Sequence, residues 1–247
     1  MFAYRLSISV AICCYLWQTA YTQAPSPEEL LQRSIQYHDP QREWAHFADS
    51  LKIKQLRPNG DVAYRDIYID RPNERFSFRS DHSEGTLRYH VDGDASDYSF
   101  AGSRDISDEI RKKYRINADR PKMYQSYYLY LYGLPMKLKD PGTHLHPRVV
   151  QTTFKGKSYY RMRVDYASEV GDDRWYFYYN PETYALEMSQ FYHDESKLDG
   201  EYIYHKGIRQ FGSLKLVEEL GWYMNVDDRH LGKDVLTNGK KVKMEPY

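Results

Sequence analysis

Cysteine is nearly absent. The chain of 247 residues has 2, Cys13 and Cys14, side by side near its start. Everything after residue 14 is therefore without a disulfide, a thiol nucleophile or a thiolate metal site. An excess of one charge is lacking too. Lys and Arg number 35, Asp and Glu 35, and no long basic block interrupts the mixture. That removes the electrostatic basis for a dedicated nucleic-acid binder. Glycine-rich phosphate loops are missing, as is the Gly-x-Ser-x-Gly elbow of a serine hydrolase. The one long apolar run, Leu6 to Trp17, falls short of the roughly 20 residues that a membrane-spanning helix needs, so no integral membrane protein is expected.

That run has the flanks of an export signal. Met1 to Arg5 carry one positive charge and no acid, and Gln18 to Ala24 are short, polar and small. Cleavage is expected after Thr22, with Ala20 three residues before the cut. Ala20 and Ala24 are the alternative cut points, and Pro25 argues against the second. A lipid-anchoring signal would place its cysteine after a small residue. Ile12 precedes Cys13 and the apolar run continues to Leu16, so the pattern argues against lipidation at either cysteine. The expectation is a signal peptide over 1–22, a single domain over 23–247, and a periplasmic or secreted address.

What the chain has in plenty is tyrosine: 26, against 9 Phe and 4 Trp. Tyrosine packs a ring while keeping a polar tip, which suits strands with half-wet faces. Ser26-Pro27-Glu28-Glu29 is a capping box, and Asp39-Pro40 a stop, so a helix is predicted over about 27–38. Period-two alternation follows around Leu51–Lys54, Val62–Asp70, Phe76–Phe78 and Leu87–Val91, with turn residues between. Two helices are read in the middle, Ser107–Tyr114 and Pro121–Tyr132. The second carries a stripe of Met123, Tyr127, Tyr130, Leu131 and Leu134, with Gly133 and Pro135 closing it. Strands return at Ser158–Tyr166, Trp175–Tyr179 and Tyr184–Tyr192, the last two around an Asn180–Thr183 turn. Glu201–His205, Leu214–Glu219 and Trp222–Asn225 follow. The sum is an α+β fold: many antiparallel strands with two or three helices.

Three stretches carry a resemblance. They are Tyr132-Gly133-Leu134-Pro135-Met136-Lys137-Leu138-Lys139-Asp140-Pro141-Gly142-Thr143-His144, then Trp175-Tyr176-Phe177-Tyr178, then Phe191 to Ser196 with Asp199-Gly200-Glu201-Tyr202. The chain resembles a family of exported bacterial proteins of unknown function, frequent in Bacteroidetes. More distantly its layout is similar to that of outer-membrane lipoprotein carriers. That likeness implies a curved antiparallel sheet, an incomplete β-barrel, with helices covering its concave face. It also implies an apolar cavity and, as partner, a lipid, another amphipathic small molecule or an outer-membrane lipoprotein.

Two constellations compete for a function. His144 and His146 lie two apart, as two imidazoles on one strand face would to share a metal, and His193 is a third candidate ligand for a metal-dependent hydrolase. Pro141 and Pro147 nearby read as loop signals instead. The aromatic band is the alternative. Trp175, Phe177 and Tyr179 share one strand face, and Tyr176 and Tyr178 the other, so this strand should be covered on both sides. A cavity lined by Tyr127, Tyr128, Leu131, Tyr160, Met162, Trp175 and Phe177 would suit an acyl chain. The sequence is read as a non-catalytic amphiphile binder without a cofactor. The metal-dependent hydrolase and a glycan-binding or envelope-structural module stand as alternatives.

Overall fold

Among the described residues thirteen strands, every pair antiparallel, form one sheet that does not close. The computed structural model describes residues 24–242. The expected leader, with Cys13 and Cys14, lies outside them. The strands are β1 (Ala48–Leu56), β2 (Val62–Asp70), β3 (Arg75–His82), β4 (Gly85–Asp92), β5 (Ala95–Phe100), β6 (Thr143–Phe154), β7 (Lys157–Tyr166), β8 (Arg174–Tyr179), β9 (Leu186–Asp194), β10 (Asp199–Phe211), β11 (Leu214–Met224), β12 (His230–Leu236) and β13 (Lys240–Val242). Their order is β5-β4-β3-β2-β1-β12-β11-β10-β9-β8-β7-β6, and β13 pairs with β10. Two meanders thus meet where β12 pairs with β1, while β5 and β6 remain free edges. Three helices accompany the sheet: α1 (Pro27–His38), α2 (Asp108–Tyr114) and α3 (Arg120–Gly133).

The first helix forms as its capping box dictates, with the Glu29 N–H donating to the Ser26 hydroxyl at 3.1 Å. Leu30 and Leu31 bury against the inner face of β6–β8. The third helix lies in the concavity and joins both inner clusters. Tyr128, Leu131 and Tyr132 pack on Phe76, Phe78 and the rest of the β1–β5 core, while Tyr130 reaches the β7–β8 side. This corrects the expected stripe: Met123 and Tyr127 are exposed, and Tyr128 and Tyr132 are buried instead. Tyr124, Tyr127, Tyr128, Tyr130 and Tyr132 spread over a broad arc of this helix, so spacing alone did not reveal which side faces inward. Gly133 is the last helical residue, and its smallness serves packing. A Cβ there would sit 2.5 Å from the Trp44 ring.

Other departures have local causes. The expected strands Leu214–Glu219 and Trp222–Asn225 are one strand, β11, running through Gly221. His144 to Pro147 belong to β6, not to a loop. Pro147 is tolerated because β6 is an edge strand with a register shift between Leu145 and Val149. The outer face of β8 is covered without a helix. Tyr176 and Tyr178 join Tyr159, Met188 and Tyr202 in a buried convex cluster, flanked by Phe154, Tyr204 and Tyr223. Tyrosine tips keep that patch wet: the Tyr202 hydroxyl accepts from Lys155 at 2.6 Å and donates to Asp228 at 2.8 Å.

One buried histidine ties α1 to the sheet. His38 Nδ1 donates to the Lys215 carbonyl at 3.1 Å, and Nε2 accepts from the Leu186 N–H at 3.0 Å. Both nitrogens are used only in the neutral ring. Burial accordingly lowers its pKa from 6.5 to about 4, against the pull of the Lys215 carbonyl. Between those values the unfolded chain holds the extra proton, so stability falls as pH drops from 6.5 towards 4. Between pH 7.5 and pH 5.5 urea unfolding should show a loss of stability about 1 kcal/mol smaller in His38→Gln than in the parent, because buried His205, lowered to about 3, contributes to the loss in both. Equal losses in both proteins would contradict this role.

Candidate functional site

The sheet's inner face is much wider than the helix laid on it. Along the mouth, inward-facing residues of β8–β12 stay uncovered, and two grooves remain, one on each side of Tyr127. Tyr127 is 44% exposed and lines both.

The first groove, about 670 Å³, runs between α3 and the β6–β8 end of the sheet. Its apolar walls are Tyr127, Leu129, Tyr130, Tyr166, Val170 and Trp175. Trp175 lies edge-on to Tyr130, ring centres 5.5 Å apart, and stacks on Phe177 at 5.9 Å. The Tyr130 and Tyr166 hydroxyls share a hydrogen bond of 2.8 Å, and burial holds both pKa values above the ordinary phenol value. These tips stay neutral over the physiological range. Charged groups stand only at the rim: Lys137 paired with Asp140, Glu169, and Asp173 bonded to His193.

The second groove, about 590 Å³, opens between Tyr127 and the β1–β12–β11 junction. Trp222 forms a wall, and Glu201 and Asp234 line it. Asp234 sits on the inner face of β12 opposite Gln55 of β1 and is 2% exposed. Burial pushes its carboxyl up to about 6, with Gln55 and Arg65 pulling it down. Sequence reading missed this residue. It lies in β12, a strand whose inner face carries Gly232 and Asp234 in place of an apolar pair, so its alternation is faint.

The residues singled out from sequence divide. Tyr127 and Trp175 line the grooves. Tyr128, Leu131, Tyr160, Met162 and Phe177 are all buried in the packed interior, the first two where α3 packs on β1–β5 and the other three where Leu30, Leu31, Leu134 and Leu138 cover the β6–β8 end. The expected hollow under the helix is filled by these side chains, and the open space lies at the mouth. The three histidines do not converge. His144 pairs with Asp165, on the face opposite to inward-facing Leu145 and Val164. His193 lies three strands further along on the inner side, ring to ring with Phe191 and bonded to Asp173, which raises its pKa. Among the described residues no three His, Cys, Asp or Glu side chains are gathered as metal ligands. The proposed trio is corrected on that ground.

The family described as "Family of unknown function (DUF6503)" matches residues 7–238. The chain belongs to that family. Comparison with curated proteins gives no match. Among solved structures the chain is similar to a LolA superfamily protein from Nitrosomonas europaea, with 10% identity and a TM-score of 0.50 over 90% of this chain and 96% of that one. A domain described as an outer membrane lipoprotein-sorting protein, from Vibrio parahaemolyticus, gives 8% identity and a TM-score of 0.49, over 86% and 90%. A DUF1329 family protein from Desulfovibrio piger gives 8% and 0.44, over 87% and 92%. At such identities the likeness is one of fold: this DUF6503 chain has the remote LolA-like architecture that the sequence resemblance implied. Among its described residues no helix is long and apolar enough to cross a membrane.

Both grooves depend on where α3 is seated, and the Trp44 contact at Gly133 sets that seat. Gly133→Ala should lower unfolding stability by about 1–3 kcal/mol, the usual cost of overpacking. That cost outweighs the helix propensity gained. A variant as stable as the parent in urea would contradict the close approach.

Proposed function

We propose that this protein binds an amphipathic, lipid-like ligand without transforming it, as an exported protein of the periplasm or the medium whose leader is removed. The observation that carries the reading is the apolar groove at the mouth. Its walls are aromatic and aliphatic, its tyrosine tips are hydrogen-bonded to each other, and its charges stand at the rim. An acyl chain laid there would gain about 0.8 kcal/mol for each methylene removed from water. The volume, about 670 Å³, lies within the range of about 300–1,000 Å³ usual for small-molecule sites. The LolA-like fold supports the reading, since an open sheet with a helix in its concavity leaves such a mouth. A lipoprotein as the natural cargo belongs to the same proposal.

A glycan-binding reading has one observation in its favour. Tyr64 and Tyr68 stand exposed on one outer face of β2, where sugar rings could stack. A glycan array on the purified protein separates the two, with signal there and none with lipid favouring the sugar.

The direct test uses full-length exported protein purified without detergent and a fluorescent long-chain fatty acid. The wild type should bind it, and Val170→Asp, at an exposed position of the groove wall, should weaken binding at least tenfold. No binding by the wild type, or equal binding by the variant, overturns the reading.

A further inference from the structure

The Asp234 groove has a chemistry the apolar one lacks. A carboxylate on the inner face of a sheet normally has a cation against it, because an unpaired buried charge is costly. Gln55 hydrogen-bonds the Asp234 carboxylate and Arg65 acts on it from a distance, yet its Oδ1 is buried without a partner, and among the described residues no lysine or arginine forms an ion pair with it. The nearby Arg65 guanidinium is already engaged, donating to Gln55 Oε1 at 2.8 Å and to Ser80 at 3.0 Å. Lys233 of the same strand is held by Glu219 at 2.7 Å. From the helix side Tyr127, Tyr128 and Tyr132 face the carboxylate, and its charge adds to the burial that raises their pKa values. The Tyr132 hydroxyl is likewise buried without a partner. A second carboxylate, Glu201, lines the same groove, and burial raises its pKa as well. Among the described residues, Arg57 is the lining cation outside an ion pair, and it is exposed where water and salt screen it. Tyr127 and Trp222 supply aromatic faces on the groove walls.

Two carboxylates, one of them buried and unpaired, beside aromatic faces form the arrangement that recognises an organic ammonium group by charge and by cation–π attraction. We propose that this groove receives the ammonium head of an amine-bearing amphiphile. Its chain would cross Tyr127 into the apolar groove, so the inference rests on the amphiphile reading for the tail and on Asp234 for the head. The missing counter-charge is then supplied by the ligand. An unpaired carboxylate that burdens the empty fold becomes paired in the complex.

Calorimetry on the full-length exported protein with four soluble probes tests head and tail separately: tetramethylammonium, octylammonium, octanoate and octanol. Octylammonium should bind at least tenfold more tightly than octanol or octanoate, and tetramethylammonium should compete with it. Asp234→Asn should bring octylammonium down to the octanol level, leave octanol unchanged, and raise the melting temperature of the free protein. If Asp234→Asn fails to fold, Glu201→Gln and Trp222→Leu provide the comparison, each expected to weaken octylammonium and to spare octanol. Octanol and octylammonium binding equally, with no effect of these variants, overturns the ammonium site while the amphiphile reading stands. Octanoate preferred over octylammonium overturns it too. No binding of any probe overturns both.

Discussion

An antiparallel sheet that bends and stops short of closing has an apolar inner face that water must not reach, and α3 is what covers it. Its tyrosines interlock with Phe76, Phe78 and Tyr89 on one side and with the Trp175–Phe177 strand on the other. Each large side chain fully buried in this way contributes about 1.5–3 kcal/mol. The rest of the fold is arranged around that placement. Trp44 fits against Gly133 at the end of the helix, and Asp39, accepting from the Glu43 and Trp44 N–H groups, holds the turn that presents Trp44.

The same constraint explains why space is left over. A helix of 14 residues is about 21 Å long at 1.5 Å per residue. A row of twelve strands spaced about 4.8 Å apart is more than twice as wide, even before curvature. One helix cannot cover such a face. Leu30 and Leu31 of α1 shield part of the remainder, and the mouth of β8–β12 stays uncovered. Trp175, Trp222, Glu201 and Asp234 line the grooves left there.

Much of the architecture was legible in the residues. The capping box, the alternation of β2 and β4, and the Asn180–Thr183 turn are local signals that the tertiary structure preserved. The facing of α3 was not, since its five tyrosines spread over so broad an arc that no narrow apolar stripe can be read. Nor was β12, whose inner face carries Gly232 and Asp234. The candidate site divides along the same line. Aromatic content pointed to Trp175 and Tyr127, which line a groove, yet it could not distinguish rings that fill a core, such as Phe177, from such rings. The histidine pair at 144 and 146 looked like a ligand set only while strand facing was unknown. Once His144 faces outward and His193 inward, the set dissolves.

The half-barrel is filled beneath its helices and open at its mouth. A crystal structure of the protein with a fatty acid brominated along its chain tests this directly, through the anomalous signal of bromine. Bromine should lie in the groove bounded by Tyr127, Tyr166 and Trp175, with α3 unmoved and Phe177 and Met162 still covered. Bromine inside the packed interior, against Phe177 and Met162, or no bound bromine at all, would contradict it.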